Sequence, residues 1–486
     1  MDILFLYKGR YQVRDAVTLE YLSAIAAAKG FATGLVYDPD LFGPSDNLFH
    51  SSFLEKLFSS EKRRIASVSA LKPRLVCFLD NELRRDWNTR MASAVKKLNP
   101  KIRILLISLS TINHQWFDRL TTLSEVEGLS TNNPFDYLLS GEPEHVFEKF
   151  LSACGSGKAG SRVFESPGLA DLDALPMPDK TLFVSHVNFG DSYLIYTSKG
   201  CPYSCSYCEE TICRNTFGPG YFRRRCVSNV ITELEEAVRK FGSKEIIFKD
   251  SVFTYDREWL KAFLVIYKER IGVPFKCFAK ADVFDTGTAE LLKDSGCYCV
   301  EFGVQTFNEK IKKEILKREE RREVFEKACR VCDSLGLRYD IDHMFGIPGE
   351  SAEDHRTAAV FYSGLRYLNR IKCHNLVFYE RAEISGIAAG EEKTGPRDFF
   401  SGVSGAGEMQ RINSAFQKFF KVLPVLPVPL RRFFSSGNNA LFFRFIPGLL
   451  ILSGQLVIAL RSGDLRFGIY LKYYPLKIRS ALGAGN

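Results

Sequence analysis

The 486-residue sequence lacks several features that would each settle a class. No basic segment leads into an apolar stretch at its start, because Met1-Asp2-Ile3-Leu4 reads as the beginning of a strand, so a secretory leader is not expected. Positive charge is not spread along it. The formal net charge is +9, yet from Lys421 onward nine Lys and Arg face the single acid Asp464, leaving the first 420 residues almost neutral. A general nucleic-acid binder carries its charge along a face of a folded domain, so no nucleic-acid partner is expected. The apolar segment Leu441 to Leu460 is about long enough for a bilayer but is broken by Arg444, Pro447, Gly448, Ser453, Gly454 and Gln455, so it is a poor span. Thirteen cysteines without a leader point to a reducing cytosol and a cytoplasmic protein.

What is present is globular: 45% hydrophobic and 25% charged residues, in a chain too long for one ordinary core, so two or three domains are expected. Three of the cysteines stand out. Cys201, Cys205 and Cys208 have the spacing C-x3-C-x2-C directly after a predicted strand, Tyr193 to Thr197. Three thiolates on one short loop can hold three irons of a 4Fe-4S cluster and leave the fourth iron open for a substrate or cofactor. The competing assignment is a zinc knuckle or a group of buried thiols, but zinc sites usually take four ligands, and no second cysteine pair follows at ribbon spacing.

The run Thr197 to Cys208, with the aromatic Tyr207 just before the third cysteine, resembles the signature of the radical S-adenosylmethionine (SAM) enzymes. The resemblance implies that the amine and carboxylate of SAM chelate the open iron. It further implies that one electron from the cluster cleaves the sulfonium and releases a 5'-deoxyadenosyl radical, with a reductase, flavodoxin or ferredoxin as electron donor.

Before the cysteines, apolar runs alternate with helical patterns over roughly Met1 to Ala153: Ile3 to Tyr7, Thr33 to Tyr37, Leu75 to Leu79, Ile102 to Ile107 and Tyr137 to Leu139 as strands. Strands separated by helices imply a parallel, doubly wound, Rossmann-like (flavodoxin-like) α/β sheet, with ligands beyond the carboxyl ends of its strands. The candidate loops are Lys8 to Arg14, Asp38 to Asp40, Asp80 to Glu82, Ser108 to Asn113 and Gly141-Glu142. This layout resembles the cobalamin-binding domain in front of many radical SAM enzymes, with Leu19 to Lys29 matching its first helix and Asp136 to Glu142 its last strand and turn. No Asp-x-His-x-x-Gly stretch is present, which argues against a histidine below the cobalt and leaves His114 as a weak substitute. Ser108-Leu109-Ser110 stands where the family carries a glycine pair, removing the close backbone approach that glycine allows.

Residues 154–192 read as a linker, rich in Gly, Ser and Lys to Gly160 and then in proline; Leu175-Pro176-Met177-Pro178 resembles the family's entry to its core. From 193 to 380 the alternation resumes, with strands expected at Tyr193 to Thr197, Glu245 to Lys249, Phe275 to Ala279, Tyr298 to Gly303, Arg338 to Met344 and Asn375 to Tyr379. Six such units suggest the partial (β/α)6 TIM-type barrel that the resemblance implies, with chemistry at the carboxyl ends of the strands. Those ends are polar: Lys249-Asp250-Ser251, Lys280-Ala281-Asp282 and Gln305-Thr306. Lys249 or Lys280 can pair with a carboxylate, while Asp250 and Gln305 can accept from hydroxyls or an amine. The family commonly has Glu where Gln305 stands. Gly346-Ile347-Pro348-Gly349-Glu350 resembles its adenine-contacting Gly-x-Ile-Pro motif, implying roles for Gly346 and Pro348. His343, just before it, is either a proton carrier or a satisfied core histidine. Cys213, Cys226, Cys297, Cys299, Cys329 and Cys332 read as buried thiols, and Lys310 to Arg322 as a solvated helical face.

The region 381–486 falls outside the resemblance and reads as a helical, basic and apolar accessory tail. Its Arg and Lys, with Tyr470, Tyr473 and Tyr474, suit peripheral contact with an anionic membrane, which would place the protein on the inner membrane surface and hint at a lipid-like substrate. A helical cap over the barrel would bury the same residues. By resemblance the expected reaction is methylation of an unactivated carbon of a small or lipid-like molecule. The alternatives are a cobalamin-assisted ring closure or rearrangement, and a membrane-associated accessory protein with an idle cluster.

Overall fold

The computed structural model describes residues 1–11, 13–43, 51–108, 133–155, 162–387, 407–462 and 465–482. Two six-stranded sheets dominate it. The first has the order β2-β1-β3-β4-β5-β6, with β1 Ile3–Lys8, β2 Thr33–Asp38, β3 Leu75–Leu79, β4 Arg103–Ser108, β5 Tyr137–Gly141 and β6 Val163–Ser166, and every pairing is parallel. Its strands are apolar almost end to end, as parallel strands covered on both faces must be. Alternate residues part to the two faces. Leu4 and Leu6 join Val68, Trp87, Met91 and Val95 from helices Glu61–Leu71 and Arg85–Leu98, while Ile3, Phe5 and Tyr7 join helices Arg14–Ala28 and Pro143–Gly155 in a core that continues into the second sheet. The strand order reverses between β1 and β3, so the ligand crevice of such a sheet lies beyond their carboxyl ends.

The second sheet runs β7-β10-β11-β12-β13-β14, also all parallel: β7 Tyr193–Ile195, β10 Ile246–Phe248, β11 Phe275–Ala279, β12 Cys297–Gln305, β13 Arg338–Phe345 and β14 Leu368–Asn375. Among the described residues nothing joins β14 to β7, so this is an open, partial barrel as expected. A two-stranded antiparallel ribbon, β8 Ser198–Lys199 with β9 Arg223–Arg224, stands beside the cysteine loop.

Several expectations need correction. The stretch read as linker supplies β6, which is four residues long and pairs with β5. The last barrel strand ends at Asn375 instead of beginning there. Its residues Arg370 and Lys372 look like the end of a helix in sequence, but they enter the barrel interior, where Arg370 meets Asp340 at 2.6 Å and Lys372 meets Glu301 at 2.5 Å. Lys276 bridges the same two acids, at 2.5 Å and 2.8 Å, so the interior of this barrel is ionic on one side. Cys226 is exposed beside Ser228, unlike the buried Cys213, Cys297, Cys299, Cys329 and Cys332. The run Lys310 to Arg322 is not a solvated face, because Lys312, Arg318 and Glu320 are buried.

Helix Glu408–Val422 lies on β14 and helix Ala352–Ser363 and buries Phe416, Phe419 and Phe420, so this part of the tail is a cap. The last helix, Leu465–Ala481, returns to the first domain, where Arg64 donates to the carbonyls of Ser480 and Ala481, both at 3.1 Å. No single helix among the described residues is long and apolar enough to cross a membrane; Asn439–Phe445 and Leu450–Leu460 reach that length and composition only together, across a bend of 116°. Leu109 to Asn113, His114, most of the Gly-rich linker run and residues 388–406 lie outside the described residues.

Candidate active site between the two sheets

The carboxyl ends of the two sheets face each other across a cavity of about 350 Å³. The first sheet contributes Arg14 and Asp15 after β1, Asp80, Asn81, Glu82 and Arg85 after β3, and Ser108 at the end of β4. The barrel contributes Tyr196, Glu209, Cys213, Lys249, Asp250, Phe278 and Tyr379. Ion pairs hold the two faces together: Arg14 pairs with Glu210, and Arg85 reaches Glu380 at 3.2 Å. Beside the cavity, Glu142 receives Lys199 at 3.2 Å, Arg223, and the Ala170 amide at 2.5 Å. Burial alone would raise the Glu142 carboxyl, but Lys199 and Arg223 hold it below the usual carboxylate range.

The cysteine loop starts at Gly200, whose φ of +89° and lack of a Cβ are both required, since a Cβ there would sit 2.7 Å from the Tyr221 carbonyl oxygen. Asp250 fixes the approach, accepting from the Thr197 amide at 3.0 Å, the Thr197 hydroxyl at 2.9 Å and the Ser198 hydroxyl at 2.5 Å, all on one carboxylate oxygen. Downstream, the Ser206 amide donates to the Leu316 carbonyl at 3.1 Å and Thr211 Oγ1 to the Cys205 carbonyl at 2.8 Å. Cys205 is buried, Cys201 and Cys208 are half-buried, and none forms a disulfide. Burial and the neighbouring thiols push the Cys208 thiol well up, and Cys201 likewise, so as free thiols they are neutral. Among the described residues the only three metal-binding side chains whose donor atoms lie within 4.8 Å of one another are His343, Glu350 and His355. Three thiols on one short loop, none in a disulfide, are a donor set that suits a multi-iron cluster.

The residues singled out in the sequence fall in different places. Tyr207 lies under it, its hydroxyl 3.3 Å from an Arg318 nitrogen. Lys249 points into the cavity over the Phe278 ring at 4.3 Å; burial lowers its ammonium to about 7 against the pull of Glu301. Lys280 is not a free cation, since it pairs with Asp282 and lies over the Tyr203 ring at 4.0 Å. Gln305 ends β12 with φ +65°, a left-handed conformation that costs energy for a residue with a Cβ, and its Oε1 is buried with no partner. The second carboxylate oxygen of Asp250 is also buried and unpartnered. Gly346, with φ +78°, and Pro348 form the turn after β13. His343 lies elsewhere, on the outer side of β13 and fully buried.

Arg318 escaped the sequence reading. One of its nitrogens lies 4.0 Å from Cys205 Sγ and another donates to the Gly303 carbonyl at 2.6 Å, so a fixed cation sits against the cysteine loop. Lys317, with φ +54°, lies past the end of helix Glu309–Glu314 just before the inward-facing Arg318, and nothing in its charged surroundings announces that turn. Arg14, at the end of the candidate loop Lys8 to Arg14, begins the first helix and lines the cavity.

Residues 195–361 match the family model described as the Radical SAM superfamily. An uncharacterized methyltransferase of Pyrococcus horikoshii is 25% identical over 240 residues, covering 45% of this chain and 50% of the relative, so the chain spans about half the length of that relative. Among solved structures, the radical SAM methyltransferase TsrM of Kitasatospora setae with cobalamin and a [4Fe-4S] cluster superposes with a TM-score of 0.57 at 16% identity, over 80% of this chain and 78% of its own. The cobalamin-dependent SAM radical enzyme OxsB with aqua-cobalamin and SAM gives 0.60 at 11% identity, over 99% and 83%. Residues 195–361 are thus a radical SAM domain, and together with the parallel sheet in front of it the chain has the architecture of the cobalamin-dependent radical SAM enzymes.

Proposed function

We propose that this enzyme methylates an unactivated carbon of a small molecule, using a 4Fe-4S cluster and SAM on the barrel and cobalamin on the first sheet. The observation that carries this reading is the shared cavity: the switch-point crevice of the first sheet and the cysteine loop side of the barrel open into the same space. The relatives and the two superposed structures support it.

When bound, the cofactors supply a radical that removes hydrogen and a methyl group that replaces it. The chain's own residues hold and shield. Cys201, Cys205 and Cys208 are the cluster ligands, and Tyr207 and Arg318 back the loop from below. Asp250 Oδ2 and Gln305 Oε1, both buried and unpartnered, are acceptors for the amine and ribose hydroxyls of SAM. Gly346 and Pro348 shape the adenine-side turn, while the occupied Lys280 supports Tyr203 at the loop rim. Lys249 faces the substrate space, together with Arg14 and Arg85. Electrons come from a flavodoxin, ferredoxin or reductase.

The test is anaerobic reconstitution followed by turnover with methyl-labelled SAM and the product's mass. Label in the product is expected, together with 5'-deoxyadenosine. 5'-Deoxyadenosine with an unlabelled product would instead select ring closure or rearrangement, and no 5'-deoxyadenosine at all would mean an idle cluster.

Arg318 provides a separate check on the cluster. A unit charge 4.0 Å from a ligand sulfur contributes about 4 kcal/mol at an effective dielectric of ~20, and Glu320, 3.5 Å from Arg318, offsets part of it. Arg318→Gln is expected to lower the cluster's reduction potential by roughly 100 mV in an anaerobic redox titration. An unchanged potential would remove Arg318 from this role.

The tail supports peripheral membrane contact as part of the same proposal. Phe433, Phe442, Phe445 and Leu450 are each more than half exposed, beside the basic Arg432 and Arg444. The full chain is expected to float with vesicles containing anionic lipid, and the triple variant Phe433→Ser, Phe442→Ser, Phe445→Ser is expected to remain in the pellet. Equal flotation of both would count against the membrane reading and the lipid-like substrate attached to it.

A further inference from the structure

Behind β13, away from the cavity, three polar side chains converge in an apolar setting. His343 lies near the end of the strand, Glu350 in the turn that follows, and His355 in the first turn of helix Ala352–Ser363. Strand alternation sends Asp340 and Asp342 toward the barrel interior and His343 with Phe345 toward the tail helix Glu408–Val422. Both histidines are 0% exposed and the Glu350 side chain is 1% exposed. One donor atom from each lies within 4.8 Å of the other two.

Each of the three holds one hydrogen bond. His343 Nδ1 meets the Tyr362 hydroxyl at 3.0 Å, Glu350 Oε1 accepts from Thr306 Oγ1 at 2.7 Å, and His355 Nε2, which lies 3.8 Å from Glu350 Oε2, donates to Asn413 Oδ1 at 2.8 Å. His343 Nε2, Glu350 Oε2 and His355 Nδ1 are left with no hydrogen-bond partner, although all are buried. The walls are aromatic: Phe345 and Phe420 pack on His343 with ring centroids 4.9 Å away, and Phe416 on His355 at 5.4 Å. Unsatisfied buried polar atoms are costly, and native folds rarely leave three of them facing one another.

We propose that His343, Glu350 and His355 bind one divalent transition-metal ion of the zinc type, which fastens the last strand–turn–helix unit of the barrel to the C-terminal helix that carries Asn413. Two imidazoles and one carboxylate are a zinc donor set, and a hydrogen bond on the other polar atom of each ligand is the arrangement that orients such ligands. Zinc bonds of about 2.0–2.2 Å need donors roughly 3.3 Å apart, which inward rotation of these side chains supplies. The ion replaces three unsatisfied contacts with three bonds and keeps its fourth position for a water molecule. The site is separate from the iron of the cysteine loop.

The test is elemental analysis of the full chain, purified anaerobically with zinc in the growth medium and dialysed against a mild chelator, followed by zinc-edge X-ray absorption. About one zinc per chain is expected, with nitrogen and oxygen neighbours only. Less than a tenth of an equivalent, or sulfur in the first shell, would overturn the proposal. His355→Ala and His343→Gln are expected to lower zinc at least tenfold with iron content unchanged, and zinc retained by both would also overturn it. Should either variant fail to fold, the absorption spectrum of the unmodified chain decides alone. Iron content and 5'-deoxyadenosine are read in the same samples, so failure here is distinguishable from failure of the radical SAM reading.

Discussion

Alanine at Cys201, Cys205 or Cys208 is expected to give a folded chain that loses most of its iron after anaerobic reconstitution and forms 5'-deoxyadenosine at least 10³-fold more slowly. The fold should survive because the loop is positioned by other groups: Asp250 on Thr197 and Ser198, Thr211 on the Cys205 carbonyl, and Ser206 on the Leu316 carbonyl. Cys213 makes the control, since it is buried beside the cavity but lies outside the spacing. Its alanine variant is expected to keep its iron. Iron counts and a 5'-deoxyadenosine assay on these four variants decide the assignment, and a Cys213 variant as iron-poor as the other three would refute it.

Glu142→Ala is expected to have the largest effect on stability. The carboxylate is fully buried and serves Lys199, Arg223 and the Ala170 amide at once, so its removal strands a partly buried guanidinium at the domain boundary. Breaking such a pair costs about 3–5 kcal/mol. The pH dependence follows from the lowered carboxyl. Its contribution is fully present above the ordinary Glu value of about 4.3 and is lost as pH falls through the lower folded value. Thermal melts from neutral pH downward should therefore show the native chain converging on Glu142→Ala only in acid. Glu142→Gln, which keeps the shape and the Ala170 contact but not the charge, should fall between them. A gap that persists undiminished at low pH would assign the loss to packing instead.

The legibility of this protein in its sequence varied with the physical cause of each feature. Strands buried on both faces show as apolar runs, so β1 to β5 and most of the barrel could be read directly. β14 could not, because its inward residues Arg370 and Lys372 are charged and find their partners Asp340 and Glu301 on β13 and β12, 30 and 71 residues earlier. β6 is four residues between a glycine-rich run and a proline, too short for any period to show. Cys201, Cys205 and Cys208 were legible because a cluster needs its ligands at a fixed local spacing. Arg318 was not, because its role depends on a backbone turn at Lys317 and on a sulfur more than a hundred residues earlier. Lys280 shows the converse limit: its place after β11 suggests a free cation, and its neighbour Asp282 has already claimed it.

The return of the last helix to the first domain bears on the order in which this molecule is assembled. Arg64 is completed by carbonyls 416 and 417 residues further along the chain. Contacts of such long sequence separation form late, after local units have paid their own ordering entropy. The last helix therefore docks late, adding its contacts with Arg64, His186 and Ser192 to a first sheet and barrel that already share one core, and the cavity between them is shaped without it.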